Sequence, residues 1–105
     1  MEIINSKEFD ALIASKPLVL VDFFATWCGP CKMLAPVLEA SAAKWGDKVH
    51  IVKVDVDQSN DLAMRFSIMS VPTMILFQNG KAVKQIQGYQ PQAALEAALQ
   101  PYWEK

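Results

Sequence analysis

Cys28 and Cys31 are the only cysteines in the chain, and both fall within "FFATWCGPCKMLAP", residues 23–36. Two thiols with two residues between them can form a disulfide staple, hold half of a metal site, or cycle between thiol and disulfide. A staple gains little from so small a loop. Chain entropy gives about 2 kcal/mol before strain, against roughly 3 for a fifteen-residue loop. A structural zinc ion needs four ligands. The sequence offers no third cysteine and one histidine, His50, inside a strand pattern, so no metal ligands are assigned. An intersubunit site would have to supply the rest, and nothing in the sequence points to one.

The redox reading fits the position of the pair. Cys28 comes where an apolar run ends and a helix-like segment begins, and unpaired N–H groups at such a terminus stabilise a thiolate. The thiolate is the attacking species, which makes Cys28 the nucleophile. Cys31 lies one turn deeper on the same face, within reach of the first sulfur, and is the resolving thiol. Gly29 permits a tight backbone, and Pro30 brings its fixed φ where no N–H is required.

The elements that must hold this pair are legible in the pattern. "NSKEFDALIAS" predicts a helix with Asn5 as N-cap, Glu8 three residues on, and Phe9, Leu12 and Ile13 on one face. "PLVLVDFFA" reads as a strand buried on both faces. A helix follows from Pro30 to Trp45, with Met33, Leu34, Val37, Leu38 and Ala42 at helical spacing and a kink expected at Pro36. "VHIVKVDVD" is the second core strand, and "SNDLAMRFS" a short helix capped by Ser59 or Asn60. "TMILF", "QNGK" and "AVKQIQG" form a hairpin, because Asn79-Gly80 suits a type I′ turn. "QPQAALEAALQ" closes as a helix with Pro91 near its first position, and "PYWEK" extends past it without a functional account for Trp103. A short strand at Ile3 and Ile4 completes the order. Parallel strands joined by helices, with a hairpin at one edge, give an α/β fold: a central mixed sheet of four to five strands flanked by helices on both faces.

Composition narrows the function classes. With 105 residues, 52% of them hydrophobic and 20% charged, the chain is one globular domain, residues 1–105. A net charge of −1 and scattered Lys and Arg give no footprint for nucleic acid. No apolar run approaches a membrane span. "MEIINSKEFD" has neither a basic start nor an apolar stretch, so no signal peptide is visible and a cytoplasmic protein is expected. In a reducing cytosol a paired cysteine motif is catalytic or metal-binding rather than a permanent staple. The acids of "DVDQSND" lack the glycine and the partners of a calcium loop and read as a solvated loop.

Asp22 interrupts "LVLVDFF", and a strand buried on both faces rarely holds an unpaired acid. An edge position or a structural ion pair would explain it. The reading favoured is functional: a buried acid with a raised pKa exchanges a proton with Cys31. Lys53, in "HIVKVD" on a neighbouring strand, is its natural countercharge, with a lysine at the strand rim as the alternative.

Taken together, "VDFFA" before "WCGPCK", then "KVDVD", "VPT", "FQNGK" and a late Gly88, the sequence resembles the thioredoxin family along essentially its whole length. Phe24, where many relatives have Trp, and Tyr89-Gln90 after the late glycine are modest departures. The resemblance implies the thioredoxin fold and a thiol–disulfide oxidoreductase reducing protein disulfides, with the Cys28–Cys31 disulfide as redox centre and no bound cofactor. It implies that Asp22 serves Cys31 through water. It also implies a cis Val71–Pro72 bond facing the disulfide and leaving the Val71 backbone free to pair with an extended substrate. Trp27, Gly29, Pro30, Val71, Pro72 and Gly88 then form the substrate surface. Met69 and Ser70 are further candidates for the groove, although Met69 fits core packing better. A monomer served by an NADPH-dependent thioredoxin reductase is expected. An oxidase or isomerase of the same fold, and a binding module with incidental thiols, are the rivals. Gly29-Pro30 between the cysteines favours the reductant.

Overall fold

Asn5 starts the first helix as the sequence predicts. In the computed structural model, which describes residues 1–104, its side chain accepts from the N–H groups of Lys7 and Glu8, both at 3.0 Å. The Glu8 carboxylate accepts from the Asn5 N–H at 3.0 Å, completing a capping box at the head of α1 (Ser6–Ser15). Asn5→Ala is expected to lower stability by about 1 kcal/mol, read as a shift of the urea midpoint with unchanged slope.

Four strands form one sheet among the described residues: β1 (Leu18–Phe24), β2 (His50–Asp55), β3 (Thr73–Gln78) and β4 (Lys81–Gln87). Their order is β2-β1-β3-β4, with β1 parallel to β2 and antiparallel to β3, and β3 antiparallel to β4. Ile3 makes an isolated parallel bridge to Lys53, which is all that forms of the fifth strand. Asn79 and Gly80 both have positive φ, 52° and 83°, as the type I′ hairpin turn requires.

β1 is buried along its entire length, and its alternation sorts the core into two layers. Val19, Val21 and Phe23 pack with Phe9 and Ile13 of α1, with Leu62 of α3 (Asn60–Arg65), and with Phe66 beyond it. Leu18 and Leu20 pack on the other face, against Leu34 and Leu38 of α2 (Gly29–Trp45) and Leu95 and Leu99 of α4 (Gln92–Trp103). Helices therefore cover both faces, as expected.

Two local expectations are corrected. Met33 is 61% exposed, because it lies about 100° around α2 from Leu34, off the buried stripe of Cys31, Leu34, Leu38, Ser41 and Trp45. Pro91 is the N-cap of α4, next to its first position as expected. "PYWEK" does not lie wholly beyond the helix: α4 runs through Pro101 to Trp103, whose ring packs on Trp45 at 5.3 Å, while Lys105 lies outside the described residues. Glu96 reinforces this junction, accepting from Trp45 Nε1 at 2.8 Å and pairing with Lys44 at 2.9 Å. α2 continues without a break past Pro36.

Candidate active site

Parallel β1 and β2 end at the same edge of the sheet, and the chain leaving β1 turns directly into α2. Cys28 is the N-cap of that helix, with extended backbone, and Gly29 and Pro30 open its first turn. The Cys31 N–H donates to Cys28 Sγ at 3.1 Å. An otherwise unpaired donor of the helix terminus is thus aimed at the sulfur, as a thiolate there would need. Cys28 and Cys31 form a disulfide with Cα atoms 5.2 Å apart. Residue exposure does not distinguish the two, at 4% and 3%; their places on the helix do. Among the described residues no group of three or more His, Cys, Asp or Glu side chains is gathered as a metal site would need.

The Val71–Pro72 peptide is cis, and the Val71 carbonyl oxygen lies 3.6 Å from Cys28 Sγ. No main-chain hydrogen bond within the described residues engages the Val71 N–H or C=O, whereas β3 pairing resumes at Thr73. The Gly88 N–H donates to the Pro72 carbonyl at 2.8 Å, so Gly88, with φ 82° and open space above its Cα, borders the same cleft. Gly29 likewise faces open space.

Trp27 is 70% exposed, and its Nε1 donates to Asp57 Oδ2 at 3.0 Å. Sequence reasoning missed Asp57 by reading its loop as merely solvated. The available signal was topological: the loop after β2 must lie beside the loop after β1, and the Val56 N–H does donate to the Phe24 carbonyl at 2.9 Å. Asp55 shapes that loop by accepting from the Asp57 N–H at 2.9 Å. Met69, expected in the core, is 90% exposed, and with Ser70 it lines a cavity of about 230 Å³ between Trp27 and Val71.

Asp22 is fully buried and neither carboxylate oxygen has a hydrogen-bond partner. Burial pushes its pKa up to about 6, against a smaller opposing pull from Lys53. Two residues beyond Leu20, Asp22 faces the α2 side of the sheet and lies toward the end where Cys31 begins the buried stripe of α2. Lys53 is its register partner on β2, yet no ion pair joins them: Lys53 Nζ sits 4.2 Å from the centroid of the Phe24 ring. The two charges act on each other through space rather than through an ion pair. His50 lies at the opposite end of β2, 3.8 Å from Glu2, away from the cysteines.

Comparison with known proteins agrees with this geometry. The family model described as Thioredoxin matches residues 1–101. The chain belongs to the thioredoxin family. A thioredoxin of Alicyclobacillus acidocaldarius is 54% identical over 89 residues, covering 85% of this chain and 84% of that one. A Mycobacterium leprae protein named bifunctional thioredoxin reductase/thioredoxin is 47% identical over 95 residues, covering 90% of this chain and 21% of its own. The solved thioredoxin of Plasmodium falciparum superposes with a TM-score of 0.89 at 36% identity, covering 97% of this chain and 99% of that one. The fold is therefore the thioredoxin fold, and the protein is a thiol–disulfide oxidoreductase acting through Cys28 and Cys31. Family membership brings a redox-active disulfide as the working group, and no cofactor is needed for that chemistry. No helix among the described residues is long and apolar enough to cross a membrane.

Proposed function

We propose that the chain is a single-domain reductant of protein disulfides, residues 1–105, in which Cys28 attacks and Cys31 resolves. The observation that carries this is the unequal setting of the sulfurs. Cys28 takes the N–H at the helix terminus and abuts the free Val71 carbonyl, while Cys31 heads the buried stripe of α2. Cys28 thiolate attacks one sulfur of the target disulfide, forming an S–S bond as the other target sulfur leaves as a thiolate. Cys31 then loses its proton and attacks Cys28, closing the intramolecular disulfide and releasing the reduced target. Asp22 is the group that exchanges this proton, its raised pKa placing it near the pH of the reaction, and Lys53 tempers that shift. The path to Cys31 runs through water.

The target lies as an extended strand along Val71 and Pro72, its main chain bonded to the unpaired Val71 groups. Trp27, held by Asp57, borders it on one side and Gly88 on the other, with Gly29 and Pro30 forming the floor beside Cys28. The Mycobacterium leprae relative, whose name joins a thioredoxin reductase to a thioredoxin, supports an NADPH-dependent reductase as the electron donor. A monomer working in the cytoplasm fits this role.

Two assays test the reading. NADPH oxidation with a thioredoxin reductase and a protein disulfide should require this chain and stop in Cys31→Ser. Methylating the target amides on either side of the attacked cysteine should raise KM about tenfold, as loss of one or two hydrogen bonds would. A small disulfide should react as before. An unchanged KM for the methylated target would remove the strand-pairing component.

A further inference from the structure

Two of the five methionines stand at the edge of the site, and core packing does not explain them. Met69 is 90% exposed and Met64 73%. Met69 lines the cavity that begins at Trp27 and Val71. A second cavity of about 320 Å³, lined by Met64 and Ser67, adjoins it and shares Asn60, Ala63, Ile68 and Met69. One groove of mixed lining, with its methionines at the rim, therefore runs from beside Cys28, past Met69, to the outer face of α3. Its occupant follows from its continuity with the redox centre: Val71, which ends the groove, abuts Cys28 Sγ. A target chain that pairs with Val71 and continues past it on the Trp27 side runs along this surface.

We propose that Met69, with Met64 beside it, forms an oxidisable wall of the target groove, accepting an apolar side chain next to the target cysteine and rejecting it once the thioether is a sulfoxide. This rests on the docking of an extended target at Val71. An unbranched, polarisable thioether adapts to varied apolar side chains, and oxidation makes it polar. The oxidant is a peroxide. The methionine sulfur gives an electron pair to one peroxide oxygen, the O–O bond breaks as the S–O bond forms, and the other oxygen leaves as water. Sulfur is oxidised by two electrons and the peroxide reduced by two. With Cys28 and Cys31 joined as a disulfide, neither sulfur is a free thiolate competing for the oxidant.

The test uses the disulfide form, treated with hydrogen peroxide, checked by mass for sulfoxide at Met64 and Met69, then reduced with dithiothreitol, which leaves sulfoxides intact. Two disulfide peptides, one with Leu and one with Ser beside the target cysteine, and a small aromatic disulfide are the substrates. Before peroxide the Leu peptide should have a kcat/KM about tenfold above the Ser peptide. After peroxide that ratio should fall toward one while the small disulfide reacts at its former rate. Met64→Leu/Met69→Leu should show the same ratio before and after treatment. Met33→Leu, which removes an exposed methionine on α2, should respond as the wild type does. A ratio that survives confirmed oxidation of Met69, or that falls equally in the double leucine variant, overturns the proposal. No preference for Leu before oxidation also overturns the proposal, whereas failure of docking itself is read separately, from an unchanged KM for the amide-methylated target.

Discussion

Asp22→Asn is expected to be about 3 kcal/mol more stable than the wild type at pH 7.5, yet about 10²-fold slower in its resolving step. Both effects come from one buried carboxyl. Its folded pKa is raised from the ordinary 3.8 to about 6, mainly by desolvation. Between those values the folded chain holds a proton that the unfolded chain has released, so stability falls as pH rises through this window. Above pH 6 the full penalty applies: two units at 1.36 kcal/mol each give about 3 kcal/mol. Below 3.8 it vanishes. Urea titrations should therefore show a large gain for the variant at pH 7.5 and nearly none at pH 3.5. An amide also cannot take the Cys31 proton, so single-turnover release of target should lose the pH dependence centred near 6. A variant more stable but equally fast would assign Asp22 no part in the exchange.

The second large effect separates the cysteines. Cys28→Ser and Cys31→Ser should each bring multiple-turnover reduction down to the uncatalysed level, because a hydroxyl at neutral pH is neither nucleophile nor redox partner. Their single-turnover behaviour should differ. Cys31→Ser retains the sulfur at the helix N-cap, the sulfur beside Val71, and should still attack once. Cys28→Ser retains only a sulfur one turn further in, which should not reach the target at a measurable rate. Rapid quenching with an alkylating agent should show a stoichiometric burst of released target thiol in the first variant and no burst in the second.

Much of this was legible in the sequence, for reasons that can be located. Asn5 and Glu8 are local signals answered by local hydrogen bonds, and Asn79-Gly80 demanded positive φ at both residues. The apolar run of "LVLVDFF" marks Asp22 as an anomaly in the sequence itself, and the structure leaves that anomaly standing, with no hydrogen-bond partner for either oxygen. What escaped depended on direction or on distant loops. Met33 and Met69 are apolar, and composition alone sends apolar residues inward; the turn of α2 and the loop before Pro72 send them out. Asp57 acquires its role from an indole thirty positions away. Trp103 is fixed by Trp45 across two helices, a contact that no local pattern encodes. The sequence placed Lys53 on a strand neighbouring Asp22 but could not give the direction of its side chain: it sits opposite Asp22 in register, with its ammonium over the face of Phe24.

The central claim is that two neighbouring, equally buried sulfurs have different jobs. Its most direct test is to incubate Cys28→Ser and Cys31→Ser separately with a protein disulfide, quench in acid, and locate any covalent adduct by peptide mass. The account predicts a mixed disulfide on Cys28 in the Cys31→Ser variant and no adduct in Cys28→Ser. Equal trapping by both variants, or an adduct on Cys31 alone, would contradict it.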